Sequence, residues 1–180
     1  MVLHTEEQIR LVNKIQPNRR ICQVDATGCL VKIDKYMRDF NRILNYVMLI
    51  KDIGDSTMPG ANVTEMATSV HDTFSISTMF NTFICNYKKV FPREQLIFRL
   101  LISDFSWATM HAALCSFNME DMTTYAARVY SLSKEEARHD HPTKLWLVSC
   151  TAHTMHRFVK ALRRKIQFES KEFRVFGKLF

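Results

Sequence analysis

Two aspartates, Asp25 and Asp104, each close a segment whose apolar run predicts a buried β-strand. In an α/β sheet, functional groups gather at the carboxyl ends of strands, so these carboxylates share a site if their strands are neighbours. Carboxylate oxygens suit Mg²⁺ or Mn²⁺, and a pair of such ions supports phosphoryl transfer on DNA or RNA. The alternative is structural: Asp25 opens an Asp-Ala-Thr-Gly turn, and Asp104 caps the helix that follows it.

A second motif, Cys150-Thr-Ala-His153, places two metal-ligating residue types three positions apart. It supplies half of a structural zinc site, which usually takes four protein ligands. A buried cysteine beside a hydrogen-bonded histidine explains the same spacing, whereas a nucleophilic cysteine needs an electropositive setting that the sequence does not show. Other histidines could complete a zinc site: His71, His111, His139, His141 and His156.

Basic residues recur along the last predicted helix, on the side opposite its apolar stripe. Lys and Arg number 25 against 18 Asp and Glu, which gives a net charge of +7 and favours a polyanionic partner, above all nucleic acid. This face predicts contacts with a DNA phosphate backbone, and a merely solvated helix face is the alternative. Its residues are Arg157, Lys160, Arg163, Arg164 and Lys165. Glu65 and His71 could support the carboxylate site, or could be surface or capping groups.

The composition limits the class of protein that carries these residues. A length of 180 residues with 47% apolar and 24% charged side chains fits one folded domain, and 4 Gly with 4 Pro excludes collagen-like and low-complexity chains. Five scattered cysteines without a CxxC pair argue against a disulfide framework and a self-contained zinc finger. We expect no secretory signal and no membrane-spanning segment.

The elements that must position these residues follow the order β-β-β-α-β-α-α-β-α after a short amino-terminal helix. We therefore predict an α/β fold with a mixed sheet, whose first three strands are antiparallel and whose later strands arrive through helical crossovers. Residues 26–28 are predicted to be a turn, and 34–42, 54–62 and 134–142 to be loops. Predicted strands cover 21–25, 30–33, 43–50, 96–102 and 145–150; predicted helices cover 5–14, 75–87, 107–117, 122–132 and 155–166.

The motifs, taken in order, resemble those of Mutator-like (MULE) transposases. The matching pieces are VDATG at 24–28, Tyr46, VTEMATSVH at 63–71, LISDFSWA at 101–108, SFN at 116–118 and CTAH at 150–153, and the match extends from about Leu3 to Phe168. The resemblance implies a ribonuclease-H-like fold with an Asp-Asp-Glu site that cuts and rejoins DNA using Mg²⁺ or Mn²⁺. By position, Asp25 and Asp104 match the two catalytic, metal-binding aspartates, and Cys150 and His153 match the family CxxH.

The departures from the family pattern concern the third acid. The catalytic Glu of the family lies well downstream of the CxxH, whereas Glu169 and Glu172 follow it closely. We therefore expect an amino-terminal helical flank at 1–20, a partial ribonuclease-H-like core at 21–168 and a truncated tail at 169–180. A site that lacks one of its cooperating carboxylates loses most of its activity.

Two functions remain open on this sequence. The first is a catalytic-domain fragment of a Mutator-like DNA transposase, inactive as written. The second is a domesticated remnant that binds DNA or a protein without catalysis. The resemblance further implies DNA as partner, homo-oligomer formation and nuclear localisation, the last in agreement with the basic run KALRRK at 160–165.

Overall fold

The computed structural model describes residues 1–28, 43–104, 106–134 and 143–165, with side chains as far as Lys160 in the last helix. These residues form one six-stranded sheet with five α-helices packed around it. The strands are β1 (Val2–Leu3), β2 (Arg20–Gly28), β3 (Leu44–Asp52), β4 (Ala61–Thr68), β5 (Leu100–Ser103) and β6 (Trp146–Ser149). The helices are α1 (Glu6–Lys14), α2 (Thr73–Val90), α3 (Trp107–Ala113), α4 (Met122–Ser133) and α5 (Thr151–Lys165), and α3 continues into a π-helical turn at Leu114–Asn118.

The strand order across the sheet is β1-β4-β3-β2-β5-β6. Strands β2, β3 and β4 are antiparallel neighbours, β5 and β6 run parallel to β2, and β1 adds to the outer edge of β4. The mixed α/β fold predicted from the sequence is confirmed, and the topology is consistent with a ribonuclease-H-like fold.

The core lies on one face of this sheet because the central strands alternate strictly. In β3, Leu44, Tyr46, Met48 and Ile50 are buried, while the residues between them are half-buried. Against this face α2 packs its own apolar stripe, which recurs at steps of three and four residues. The stripe consists of Ile76, Met79, Phe80, Phe83 and Tyr87, all buried. The helix predicted over 75–87 is therefore confirmed and extends further at both ends.

Two local predictions in the first half of the sheet are wrong. Residues 26–28 form no turn but continue β2, where they pair with Tyr46, Asn45 and Leu44 of β3. The third strand of the antiparallel set is β4, which the sequence analysis assigned partly to a loop. A register shift after Met48 places two consecutive buried residues in β4, so its alternation is interrupted. The strand predicted at 30–33 and the loop at 34–42 lie outside the described residues.

The second half of the chain follows the predicted order more closely. Strand β5 is shorter than predicted, and α3, α4 and β6 begin within two residues of the predicted starts. In the described part of the apolar stripe of α5, Met155 is 43% exposed and Phe158 is 56% exposed. The tail at 169–180 and most of the loop at 134–142 lie outside the described residues, and the division into flank, core and tail remains a prediction. Within the described residues, no helix has both the length and the apolarity to cross a membrane.

Candidate functional site

The candidate site lies where the parallel pairing between β2, β5 and β6 ends. Val24 of β2 pairs with Ser103 of β5, and Ser103 pairs with Ser149 of β6. The residues one position further along each chain are Asp25, Asp104 and Cys150. The Cys150 amide donates a hydrogen bond to the Ser103 carbonyl oxygen at 2.7 Å, which holds the β6 end against the β5 end. The sheet therefore brings both predicted aspartates and the start of the CxxH motif to one edge.

Asp25 occupies a strand position, which excludes the alternative that it opens a turn. It pairs with Val47 of β3, and its Oδ1 accepts a hydrogen bond from the Ala26 amide at 2.9 Å. Side chains alternate along a strand, so Asp25 lies on the face opposite the buried Val24. Because the residue is only half-buried, its carboxylate lies at the surface of the sheet edge.

Asp104 does not cap α3, which was the structural alternative considered from the sequence. Ser106 is the N-cap of α3, since its Oγ accepts from the Thr109 amide at 3.4 Å. The backbone of Asp104 is held instead, because its carbonyl oxygen accepts from the Ser106 amide at 2.7 Å and from the Ser103 hydroxyl at 2.9 Å. Its carboxylate Oδ2 lies 3.7 Å from Nη2 of Arg157 in α5, and its side chain is 30% exposed.

On the core side of the sheet, a chain of hydrogen bonds links β3 to the segment that follows β5. Tyr46 of β3, opposite Ala26 in the register, bonds through its hydroxyl to Nδ1 of His71. Nε2 of His71 lies 3.0 Å from the Oγ of Ser106. The neighbouring Asp72 caps α2, and the hydrogen bond from the Ser75 amide lowers the pKa of that carboxyl. His71 therefore contacts both the strand beside Asp25 and the segment that carries Asp104.

The CxxH residues lie at the junction between β6 and α5. Cys150 is a free, half-buried cysteine directly before the first helical residue. His153 is half-buried, and its Nδ1 is buried without a hydrogen-bond partner among the described residues. Four positions on, Arg157 reaches Asp104, so the first turns of α5 lie beside the Asp104 carboxylate.

Glu65 lies on the same row of the sheet as Asp25, two strands away. It pairs with Val47 of β3, which in turn pairs with Asp25. The carboxylate of Glu65 accepts a hydrogen bond from the Asn62 side chain. Val47 separates the two acids, so the register does not place Glu65 beside Asp25.

A buried polar cluster that the sequence analysis did not identify fixes the start of β6. Asn118 accepts from the Leu145 amide at 2.7 Å through Oδ1, and it donates to the Leu145 carbonyl at 3.0 Å through Nδ2. Glu120 makes two contacts with Arg128, whose guanidinium lies over the Trp146 ring of β6. Although SFN was noted as a motif, no local pattern relates Asn118 to Leu145, 27 residues later.

The predicted DNA-contacting residues are described only in part. Arg157 is 54% exposed at its side chain and forms the ion pair with Asp104, and Lys160 is exposed. The backbone positions of Arg163, Arg164 and Lys165 continue α5, but their side chains lie outside the described part of the chain.

The two aspartates fit a divalent cation in the chemistry of their donors. Both residues are partly accessible and follow the last β2–β5 pair, and carboxylate oxygens are the hard ligands that Mg²⁺ and Mn²⁺ prefer. Among residues 1–28, 43–104, 106–134 and 143–165, no group of three or more His, Cys, Asp or Glu forms a metal cluster. Glu169 and Glu172 lie outside these ranges.

The fold and the strand-end carboxylates together define a ribonuclease-H-like α/β chain with a candidate site for divalent ions. Comparison with known proteins adds one relative, the "120.7 kDa protein in NOF-FB transposable element" of Drosophila melanogaster. The two are 31% identical over 160 residues, which is 88% of this chain and 14% of the fly protein. No protein-family profile matches the chain. The similarity supports a transposon-related origin, and the chain spans about a seventh of its relative's length.

Proposed function

We propose that this chain is part of the catalytic domain of a Mutator-like DNA transposase, in which Asp25 and Asp104 bind the divalent ions used to cut and join DNA strands. The observation that carries the proposal is the pairing of Val24 with Ser103, because Asp25 and Asp104 directly follow these two residues on neighbouring parallel strands. The similarity to a protein of a transposable element supports the same class. DNA as the partner, the nucleus as the location and self-association belong to this proposal.

The chemistry assigned to these residues is electrostatic. Bound Mg²⁺ or Mn²⁺ ions would stabilise the attacking and leaving oxygens of a phosphoryl transfer. Asp25, on the rigid central strand β2, fixes one carboxylate in space. Asp104, held through its backbone by Ser103 and Ser106, supplies the second from the adjoining strand. Two carboxylates give fewer ligand oxygens than the six or more that such ions take, so we expect weak binding by these residues alone.

The test is a calorimetric titration with Mn²⁺ of the folded chain and of the variants Asp25→Asn and Asp104→Asn. We expect the parent to bind and each substitution to weaken binding by about tenfold or more, because it removes a charged ligand from the same site. Asp121→Asn is the matched control, since Asp121 caps α4 far from the β5 end and asparagine keeps that cap. Circular dichroism would verify that all four proteins are folded.

Two results would contradict the metal site. If a well-folded parent binds no Mn²⁺, the two carboxylates do not form a site in this chain. If Asp25→Asn and Asp104→Asn bind as tightly as Asp121→Asn, the ions bind elsewhere, and the assignment of these aspartates is wrong.

A second candidate function is DNA binding without catalysis, favoured by the exposed basic side of α5. Arg157 and Lys160 are exposed there, and the sequence continues with Arg163 and Arg164. This function predicts DNA binding that weakens linearly in a plot of log K against log salt, and that is indifferent to Mn²⁺. The double variant Arg163→Ala with Arg164→Ala should lower the salt slope by about 1.8 if both contact duplex phosphates. An unchanged slope would exclude these two residues from the interface.

A further inference from the structure

We infer that His71 is a positioning residue: it fixes the Asp104 segment against the strand that carries Asp25 and so sets the spacing of the two carboxylates. This inference rests on the function proposed above and names a residue outside the carboxylate pair. His71 is exposed to solvent, yet its ring nitrogens bond to two hydroxyls from the interior. Those hydroxyls belong to Tyr46, which is 1% exposed, and to Ser106, which is 7% exposed.

The connection is continuous from the backbone next to Asp25 to the backbone of Asp104. Ala26 follows Asp25 on β2 and pairs with Tyr46 on β3. From Tyr46 the hydrogen bonds pass through His71 to the hydroxyl of Ser106. The amide of that serine donates to the carbonyl oxygen of Asp104 at 2.7 Å. Any movement of the Asp104 segment away from β2 must therefore break one of these bonds.

Strand pairing by itself constrains the Asp104 segment less than it constrains β5. Ser103 is the last residue of β5 and makes the last register pair with Val24, so Asp104 lies beyond the ladder. Its side chain forms an ion pair with the exposed Arg157 of α5, and exposed ion pairs contribute little to rigidity. The contact of His71 with Ser106 adds a second tertiary restraint on the side of β3, and it joins residues 35 positions apart.

The network also agrees with the need to satisfy buried hydroxyls. A buried Tyr or Ser hydroxyl without a partner is unfavourable, and His71 offers each of them a ring nitrogen. A neutral imidazole has one donor and one acceptor nitrogen, so it can bond to both hydroxyls at once. Groups that orient metal ligands in this way typically change metal affinity by about 10- to 100-fold when they are removed.

The experiment uses Tyr46→Phe, which deletes one hydroxyl and keeps the buried ring, and His71→Ala, which deletes the bridge from the surface. Two quantities are measured on the full chain: the Mn²⁺ dissociation constant and the hydrogen-exchange rate of the Ser106 amide. Tyr87→Phe is the matched control, since Tyr87 is equally buried and its hydroxyl donates to Asn13 at 2.5 Å, away from the site.

We expect faster exchange at Ser106 and about tenfold weaker Mn²⁺ binding in Tyr46→Phe and in His71→Ala, with neither change in Tyr87→Phe. The double variant should bind no more weakly than His71→Ala, because both substitutions break the same chain of bonds.

The outcomes separate this inference from the proposed function. A parent that binds no Mn²⁺ overturns the metal site, and the exchange rate then decides alone whether His71 holds the Asp104 segment. A parent that binds Mn²⁺ with the same affinity as His71→Ala overturns the positioning role, even if both variants lose stability. Equal exchange rates at Ser106 in the parent and both variants overturn the restraint itself.

Discussion

We expect substitution of Asn118 to lower the free energy of unfolding strongly. Its side chain bonds to the backbone of Leu145, directly before β6, as a neighbouring strand would. It is 3% exposed and bonds to both backbone groups of Leu145, at 2.7 Å from the amide and 3.0 Å from the carbonyl. Asn118→Ala leaves the buried amide without this partner. The carbonyl keeps a longer contact of 3.4 Å with Arg128.

The magnitude follows from these two groups. A buried donor or acceptor left unsatisfied costs about 1–3 kcal/mol, so the amide and the partly compensated carbonyl together predict a loss of about 2–4 kcal/mol. For a domain of ordinary stability, about 5–15 kcal/mol, that is a large fraction of the total. With an m-value of about 2 kcal/mol/M, the urea midpoint should fall by about 1–2 M.

The assay is urea unfolding followed by tryptophan fluorescence, which reports on β6 through Trp146, and by circular dichroism. Asn81→Ala is the control, since Asn81 is exposed on α2 and its replacement should change stability by less than about 0.5 kcal/mol. A loss below about 1 kcal/mol in Asn118→Ala, with an unchanged m-value, would refute the view that this side chain holds β6 in place.

Three further outcomes follow from single residues. Met119 has a φ of 56° and is 91% exposed, so Met119→Gly should stabilise the chain by about 0.5–1 kcal/mol in urea unfolding; a loss would contradict backbone strain there. The hydrogen bond from the Thr124 amide lowers the pKa of Asp121 below 3.8, so its stabilising effect is complete above that value and is lost as pH falls through the lower folded pKa. Asp121→Asn should therefore flatten the dependence of unfolding free energy on pH in that acidic range, and an unchanged slope would exclude this cap as its source. Burial raises the pKa of the Cys22 thiol, so iodoacetamide and mass spectrometry should show the exposed Cys85 modified in the native chain and Cys22 modified only after unfolding; equal rates would contradict the burial.

The sequence could predict elements whose signal is local. The three- and four-residue spacing of α2 and the strict alternation of β3 report burial on one face, and both segments are confirmed. The capping box of α1, in which Thr5 and Gln8 bond to each other's backbone amides, is a local signal of the same kind. Each depends only on neighbours within one turn of helix or a few residues of strand.

Predictions failed where contacts between distant residues override the local pattern. Ala26 to Gly28 have the composition of a turn, but pairing with β3 extends them as strand. The register shift between β3 and β4 interrupts the alternation of buried residues in β4. Without that alternation, the sequence pattern did not identify β4 as a strand. Asn118 gives no local sign of its role, because the strand that it holds begins 28 residues later.

The same distinction between local signals and contacts of distant residues applies to the candidate site. The sequence by itself determined that Asp25 and Asp104 close buried apolar segments and that Cys150 and His153 lie at the junction between a strand and an amphipathic helix, because composition and periodicity encode these facts locally. Only the tertiary structure decided that β2, β5 and β6 are parallel neighbours in register, so that Asp25, Asp104 and Cys150 follow one another across a single sheet edge. Strand pairing joins residues 79 positions apart through backbone hydrogen bonds, which are the same for every side chain and leave no mark in the local sequence.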